Sequence, residues 1–319
     1  EEFGIYYYFD HSDSQHLLVL SDSLSSHSAK KSGEALKFRW SNEARWRTED
    51  FVYSWVAERC FNTGKVIFND YDFKNPTGDL LAEKEKGGGY QNDKLTHYDY
   101  PGRYKEKGLG MDLAQVRLEA EQAKDTRRQA AGDAAHCAPG SLVTLSGHSE
   151  SSQNGRYIVV RAVHTYTSAT YETAEGQGEE IYSGHYEFLP SDIPYRAPQI
   201  TPKPRIHGPQ TAVVVGSGEI DVDEDGCIMV QFHWDRLAAN DQKSSCWVRV
   251  SHPWAGKNFG AIHIPRMGQE VVVDFLEGDP DQPLVTGRVY NAEQMPPWEL
   301  PANATQSGIL TRSSKGGAY

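Results

Sequence analysis

Nowhere in the 319 residues is there an apolar run near the roughly 18 residues that a membrane-spanning helix needs, and the mean hydropathy of −0.63 agrees with that lack. Cysteine is scarce. Cys60, Cys137, Cys227 and Cys246 stand at wide, irregular spacings, so neither a CxxC zinc knuckle nor a dense disulfide framework can be read from them, and a reducing compartment is the simplest inference. Cationic surplus is missing too: 32 Lys and Arg face 44 Asp and Glu, for a formal charge of −12. That balance argues against a general phosphate-binding surface, because nucleic-acid affinity rests on neutralising phosphates with Lys and Arg. The opening EEFGIYYYF has no initiator Met, no basic n-region and no small-residue cleavage site, and SGILTRSSKGGAY ends with nothing to pair against; the expectation is an excised or partly ordered piece. No period of about 20–50 residues repeats, which disfavours solenoids and propellers.

What is present is period-2 alternation punctuated by Gly, Pro, Asn and Asp, the pattern of antiparallel sheets. A length of 319 residues implies two or three domains at about 150 residues each. Ile5–Phe9 and Leu17–Leu20, joined by the polar turn Asp10–Gln15, predict a hairpin. Phe38–Trp40 and Val52–Cys60 follow, with Asn62-Thr63-Gly64 turning the latter into Lys65–Tyr71 as a second hairpin. Leu80–Gly89 (LLAEKEKGGG) and Met111–Ala131 are the stretches of helical composition, and the second carries Leu113, Val116, Leu118 and Ala120 as a narrow apolar stripe. Ser141–Ser146, Tyr157–Thr165 and Glu180–Leu189 alternate as strands of a further sheet. Pro190, Pro194, Pro198, Pro202, Pro204 and Pro209 then fix an extended linker, where a domain boundary is expected. Beyond it, Thr211–Val215, Cys227–Trp234, Cys246–His252, Glu270–Leu276 and Leu284–Tyr290 supply the strand count of a five-stranded OB barrel.

Candidate chemistry is thin. His233 and His263 each sit alone in an alternating strand without a second ligand at the spacing of HExxH, so a packed or hydrogen-bonded role is expected rather than a metal. Asp221, Asp223, Glu224, Asp225 and Gly226 resemble an EF-hand start, yet the last loop position, which needs a bidentate Glu, is Phe232; a solvated turn is expected. There is no GxSxG elbow, and Ser146-Gly147-His148-Ser149 has no assigned acid partner. Glu49/Asp50 and Glu179/Glu180 are the carboxylate pairs available for glycan cleavage, but neighbours on a strand point to opposite faces. Residues 208–292 hold twelve acids against six bases, so Trp234, Trp247 and Trp254 are expected in barrel core, barrel rim or subunit interface rather than as base-stacking platforms. No catalytic, cofactor-binding or metal residue is expected.

The most specific pattern lies in Gly260–Asn291 (GAIHIPRMGQEVVVDFLEGDPDQPLVTGRVYN), with VQFHWDR (Val230–Arg236), SSCWVRVSHPWAG (Ser244–Gly256) and YDYPGRY (Tyr98–Tyr104) upstream. Together these resemble the VgrG family of type VI secretion spikes and the hub and spike of contractile phage tails. The resemblance implies a mainly β chain with a minor helical part: two hub-type β-barrels, a five-stranded OB-fold barrel and the start of a trimeric β-prism. Residues 1–30 would end the hub's α/β insertion, 31–110 form part of a first barrel, 111–135 a connecting helix, 136–196 a second barrel, 197–207 a Pro-rich linker, 208–292 the OB domain and 293–319 the prism entry. It further implies a non-enzymatic homotrimer of pseudo-sixfold symmetry that caps a hexameric Hcp tube. Such a spike carries a tip protein and effectors, touches membranes as puncture targets, binds no nucleic acid, and moves from the bacterial cytoplasm through the secretion apparatus. Three alternatives stay open: a phage tail hub, a spike with a hydrolase domain further along, and a free-standing OB-type binder of nucleic acid or glycan.

Overall fold

A computed structural model describes residues 1–12, 14–27, 35–40, 50–167, 181–237, 241 and 243–314. The chain divides into two compact units, Glu1–Thr201 and Pro202–Tyr319.

In the first unit, β1 (Tyr6–His11) and β2 (His16–Ser21) form the expected hairpin. Then come β3 (Ala35–Phe38), β4 (Phe51–Arg59), β5 (Lys65–Phe68), β6 (Ala82–Glu85), β7 (Thr96–Asp99), α1 (Lys107–Gln122), β8 (Thr126–Gly132), β9 (Leu142–Ser146), β10 (Gly155–Thr167) and β11 (Ile181–Pro190). Six strands close a barrel in the order β10-β11-β8-β4-β3-β9. Closure depends on β3, which runs parallel to both β4 and β9 and so fills the gap between them. The barrel interior is apolar. Leu36, Val52, Val143, Leu145, Val159 and Phe188 are essentially solvent-free, and Trp55 stacks on Phe188 at 5.3 Å while meeting Tyr157 edge-on at 5.2 Å. Two glycines permit this density. A Cβ on Gly132 would stand 2.3 Å from the Phe51 carbonyl oxygen, and one on Gly184 would strike the Tyr186 ring that lies across it.

The structure departs from three sequence expectations. Thr126–Gly132, which overlaps the end of the expected Met111–Ala131 helix, is strand β8: α1 ends at Gln122, and β8 pairs with β4 on one side and β11 on the other. Two complete ladders outweigh the modest helix preference of Arg, Gln and Ala. The helix-like Leu80–Gly89 contains strand β6 instead, whose Ala82 is buried and whose Glu83 pairs with Lys65 across to β5. The hairpin expected between Val52–Cys60 and Lys65–Tyr71 does not form, because β4 belongs to the barrel while β5 pairs with β6 and β7. As a consequence, the closed barrel draws strands from both the 31–110 and the 136–196 stretches, and residues 65–99 make a separate three-stranded sheet, β6-β5-β7.

That sheet is covered by α1, whose Ala114 and Leu118 bury Val66 and whose Leu113 joins Leu80, Ala82 and Tyr104. Tyr104, from the YDYPGRY stretch, donates to the Leu80 carbonyl at 2.6 Å, and burial pushes its phenol up to about 12. Arg196, from the Pro-rich stretch, bonds Glu119 of α1 at 2.8 Å and also reaches the Asp22 carbonyl, tying that stretch to the unit. The hairpin is held by buried His27. Its Nδ1 is 2.7 Å from the Gly140 carbonyl, an acceptor alone, so Nδ1 carries the proton and Nε2 accepts from the Tyr6 hydroxyl at 2.8 Å. Tyr8 stacks on the same imidazole at 4.5 Å.

The second unit contains β12 (Gln210–Val215), β13 (Met229–Phe232), β14 (Arg249–Val250), β15 (Trp254–Gly256), β16 (Phe259–Ala261), β17 (Glu270–Phe275) and β18 (Pro283–Val289). The five strands read from the sequence all fall in one sheet, ordered β13-β12-β17-β18-β14. Its two ends meet: Ile228 and Val248, just before β13 and β14, exchange backbone hydrogen bonds of 2.9 and 2.8 Å. Ala212, Val214, Ile228, Val230, Val248, Val271, Val273 and Val285 pack inside. The short β15–β16 hairpin was not foreseen.

Replacing Phe188 by Ala should cost about 3–5 kcal/mol in urea denaturation, the range for a fully buried aromatic. Burial holds the His27 imidazole below its ordinary value, so the unfolded chain takes up a proton first as pH falls. The stability His27 confers is full above about pH 6.5 and is lost as pH drops toward the folded value. His27→Gln keeps a donor for Gly140 and an acceptor for Tyr6 without titrating; its denaturation midpoint should therefore vary less than wild type between about pH 7.5 and pH 5.5.

Candidate assembly surfaces

One face of the β1–β2 hairpin is uncovered. Tyr7 lies opposite Leu20 and Phe9 opposite Leu18, and the four are 65, 68, 48 and 56% exposed. Such pairs normally contribute to stability when buried, and a contiguous apolar patch on a surface marks an interaction site. Among the described residues the hairpin is a two-stranded sheet with no further strand on either edge, and such edges add backbone donors and acceptors to the apolar face.

The second unit carries a comparable rim. Trp234 stacks on Phe232 at 5.3 Å and donates its ring N–H to Gln210 Oε1 at 2.9 Å, yet it is 67% exposed. Trp254 meets Phe259 edge-on at 5.8 Å across β15–β16, and both are exposed, as is Trp247. Of the roles expected for these tryptophans, barrel core is overturned: all three are exposed, and smaller Val and Ile side chains fill most of the interior. Further along, Ser307–Ser313 belongs to no strand and exposes Ile309 and Leu310. Arg266, held by Glu219 at 2.7 Å, reaches the Arg312 and Ser313 carbonyls at 2.6 and 3.2 Å. A planar guanidinium can serve three acceptors in this way, whereas an ammonium has no fork.

The polar residues singled out from the sequence are distributed rather than convergent. His233 Nε2 meets Thr211 Oγ1 at 3.1 Å and stands 3.9 Å from Glu270, while the His263 carbonyl accepts from Arg288. Asp221 accepts from the Ser217 N–H and hydroxyl at 2.7 and 2.9 Å, and Asp223 from the Asp225 and Cys227 N–H groups at 3.0 and 2.7 Å. These carboxylates therefore build the turn itself, and the Ser217 bonds lower the Asp221 carboxyl. Glu224 and Gly226 lie in the same turn. His148, beside Ser146, Gly147 and Ser149, receives the Glu150 N–H on Nδ1 at 3.1 Å and packs on Phe38. Glu49, Glu179 and Glu180 lie outside the described residues. Among the described residues, no group of three or more His, Cys, Asp or Glu side chains is placed to hold a metal ion.

Two polar contacts escaped sequence reasoning. Asp50 accepts from His136 at 2.6 Å, and a hydroxyl chain runs from Tyr186 to Tyr182 at 3.2 Å and on to His164 at 2.5 Å. Alternation on β11 puts Tyr182, Gly184 and Tyr186 on one face, and His164 opposes Gly184, so a correct strand register would have revealed the second. Cys137 adjoins the first contact, but burial pushes its thiol up to about 12; at neutral pH it is protonated and a poor nucleophile.

The sequence profile of the phage tail baseplate hub (GPD) family matches residues 1–170, and that of the type VI secretion system/phage-baseplate injector OB domain matches residues 210–290. The type VI secretion system spike protein VgrG1b of Pseudomonas aeruginosa is 43% identical over 319 residues, covering 99% of this chain and 43% of that protein. VgrG1a of the same organism is 42% identical over 99% of this chain and 50% of its own length. The chain thus spans about half the length of these curated relatives. Among solved structures, the E. coli c3393 protein, described as a type VI secretion component structurally similar to T4 bacteriophage tail proteins gp27 and gp5, aligns with a TM-score of 0.53 and 16% identity over 90% of this chain and 57% of that one. A PdpA–VgrG complex aligns at 0.51 and 8% over 98% of this chain and 59% of that one. With the hub profile over residues 1–170 and the injector OB profile over 210–290, this chain belongs to the phage tail baseplate hub family and is similar along its length to VgrG spike proteins of type VI secretion.

Proposed function

We propose that this chain is the hub and OB portion of a non-enzymatic spike that assembles as a homotrimer, caps an Hcp-like hexameric tube and is driven by sheath contraction through a target membrane, carrying a tip protein and effectors. The observation that carries this reading is the hub profile followed by the injector OB profile in one chain, on a molecule that leaves its apolar hairpin face and Ile309 and Leu310 uncovered. Winding three copies about an axis would bury those two side chains and pair the extended backbone around them, so that axial force is spread over inter-chain hydrogen bonds. In this reading the protein waits in the bacterial cytoplasm and leaves through the apparatus into the medium or a target cell. Barrels of this kind act by shape and rigidity, which is consistent with carboxylates and histidines spent on turns and loop contacts. A contractile phage tail hub is the second reading, favoured by the phage origin of the hub profile.

Light scattering on the full-length protein should return the mass of three chains, and Ile309→Asp with Leu310→Asp should shift it toward one while circular dichroism stays unchanged. A stable monomer for the wild type would remove the trimer. Native protein should alkylate at Cys60, which is exposed, and spare buried Cys137 until unfolding. Equal rates at the two thiols would point to a reactive centre and against the non-enzymatic reading.

A further inference from the structure

The tip of the β1–β2 hairpin brings two imidazoles face to face. His11 and His16 form its last register pair, so their side chains leave the same face at directly facing positions. Their Nδ1 atoms stand 2.7 Å apart, with ring centroids at 4.9 Å and ring planes at 67°. Both residues are exposed. Two ring nitrogens aimed at one another are favourable when a proton or a cation lies between them, since two lone pairs at this separation repel. Imidazole nitrogen binds zinc at about 2.0–2.1 Å, and a tetrahedral N–metal–N angle then requires about 3.3 Å between the nitrogens. The pair has to open by roughly 0.6 Å to reach that value, a small rotation for two exposed side chains. The turn beneath is already closed, with Ser12 N–H donating to the Gln15 carbonyl at 2.9 Å and the Ser12 hydroxyl to the same oxygen at 3.2 Å. The ligands are therefore held together in advance, and little ordering cost attends binding.

We propose that His11 and His16 form a cross-strand site for a divalent transition metal of borderline softness, zinc, nickel or copper, with water completing the coordination. Neutral imidazole is the ligand type these ions share. Asp10 precedes His11 on the strand and so faces the other side of the hairpin. A metal held there links β1 to β2 at the end remote from His27, where a two-stranded hairpin has least support of its own.

Calorimetric titration of the metal-stripped full chain with zinc or nickel salts tests this. One saturable site per chain is expected, weakened at least about tenfold in His11→Gln and in His16→Gln and unchanged in His233→Gln. Circular dichroism of each variant reports folding, and the His11 and His16 ring signals should be the imidazole resonances that shift on zinc addition. Absence of saturable binding in the wild type, or equal binding by His16→Gln, would overturn the proposal and leave the two imidazoles sharing a proton.

Discussion

Closure of strand edges is the constraint on which the rest of this structure depends. A strand edge is a row of donors and acceptors that must be paired, covered or wetted. In the first unit the problem is solved by a four-residue strand, Ala35–Phe38, inserted parallel between β4 and β9. In the second it is solved by two hydrogen bonds between Ile228 and Val248. Once the edges are closed, the inward positions of each strand have a single destination, and Phe188 in one barrel and Val271 in the other reach full burial. The glycines at 132 and 184 follow from the same demand, since closing a small barrel brings backbone and ring within Cβ distance.

Where closure is incomplete among the described residues, apolar surface collects. The hairpin face of Tyr7, Phe9, Leu18 and Leu20 and the run through Ile309 and Leu310, which belongs to no strand, expose hydrophobic side chains. Both features suit association better than catalysis. The polar residues follow a corresponding logic: Asp221 and Asp223 fold a turn, Arg266 and Glu219 hold the outgoing segment, and His27 fastens the hairpin to the Gly140 carbonyl. Each acts on the protein's own backbone.

The sequence was most informative where structure is local. The hairpin Ile5–Phe9 with Leu17–Leu20 and the five strands of the second unit could be read because alternation and turn residues act over a few positions. The stretch Thr126–Gly132 could not, since its Arg, Gln and Ala are compatible with a helix and become a strand through partners far away at β4 and β11. Leu80–Gly89 failed for the same reason: Glu and Lys, good helix formers, pair instead across β5. The tryptophans at 234, 247 and 254 could be assigned to the barrel but not to its inside or outside, because that depends on barrel radius and on which strand end they occupy.

By itself, the amino-acid sequence determined the β character of the chain, the Pro-rich stretch, the OB strand set and, through collinear motifs, the likeness to baseplate hubs and spikes. Those properties are written in residue types at short spacing. Tertiary structure alone decided that strands on both sides of α1 share one barrel, that Asp50 meets His136, and that His11 faces His16 at the hairpin tip. Each of these requires residues to be brought together by sheet register and closure, and a one-residue slip in register, which composition does not prevent, would turn every side chain to the other face.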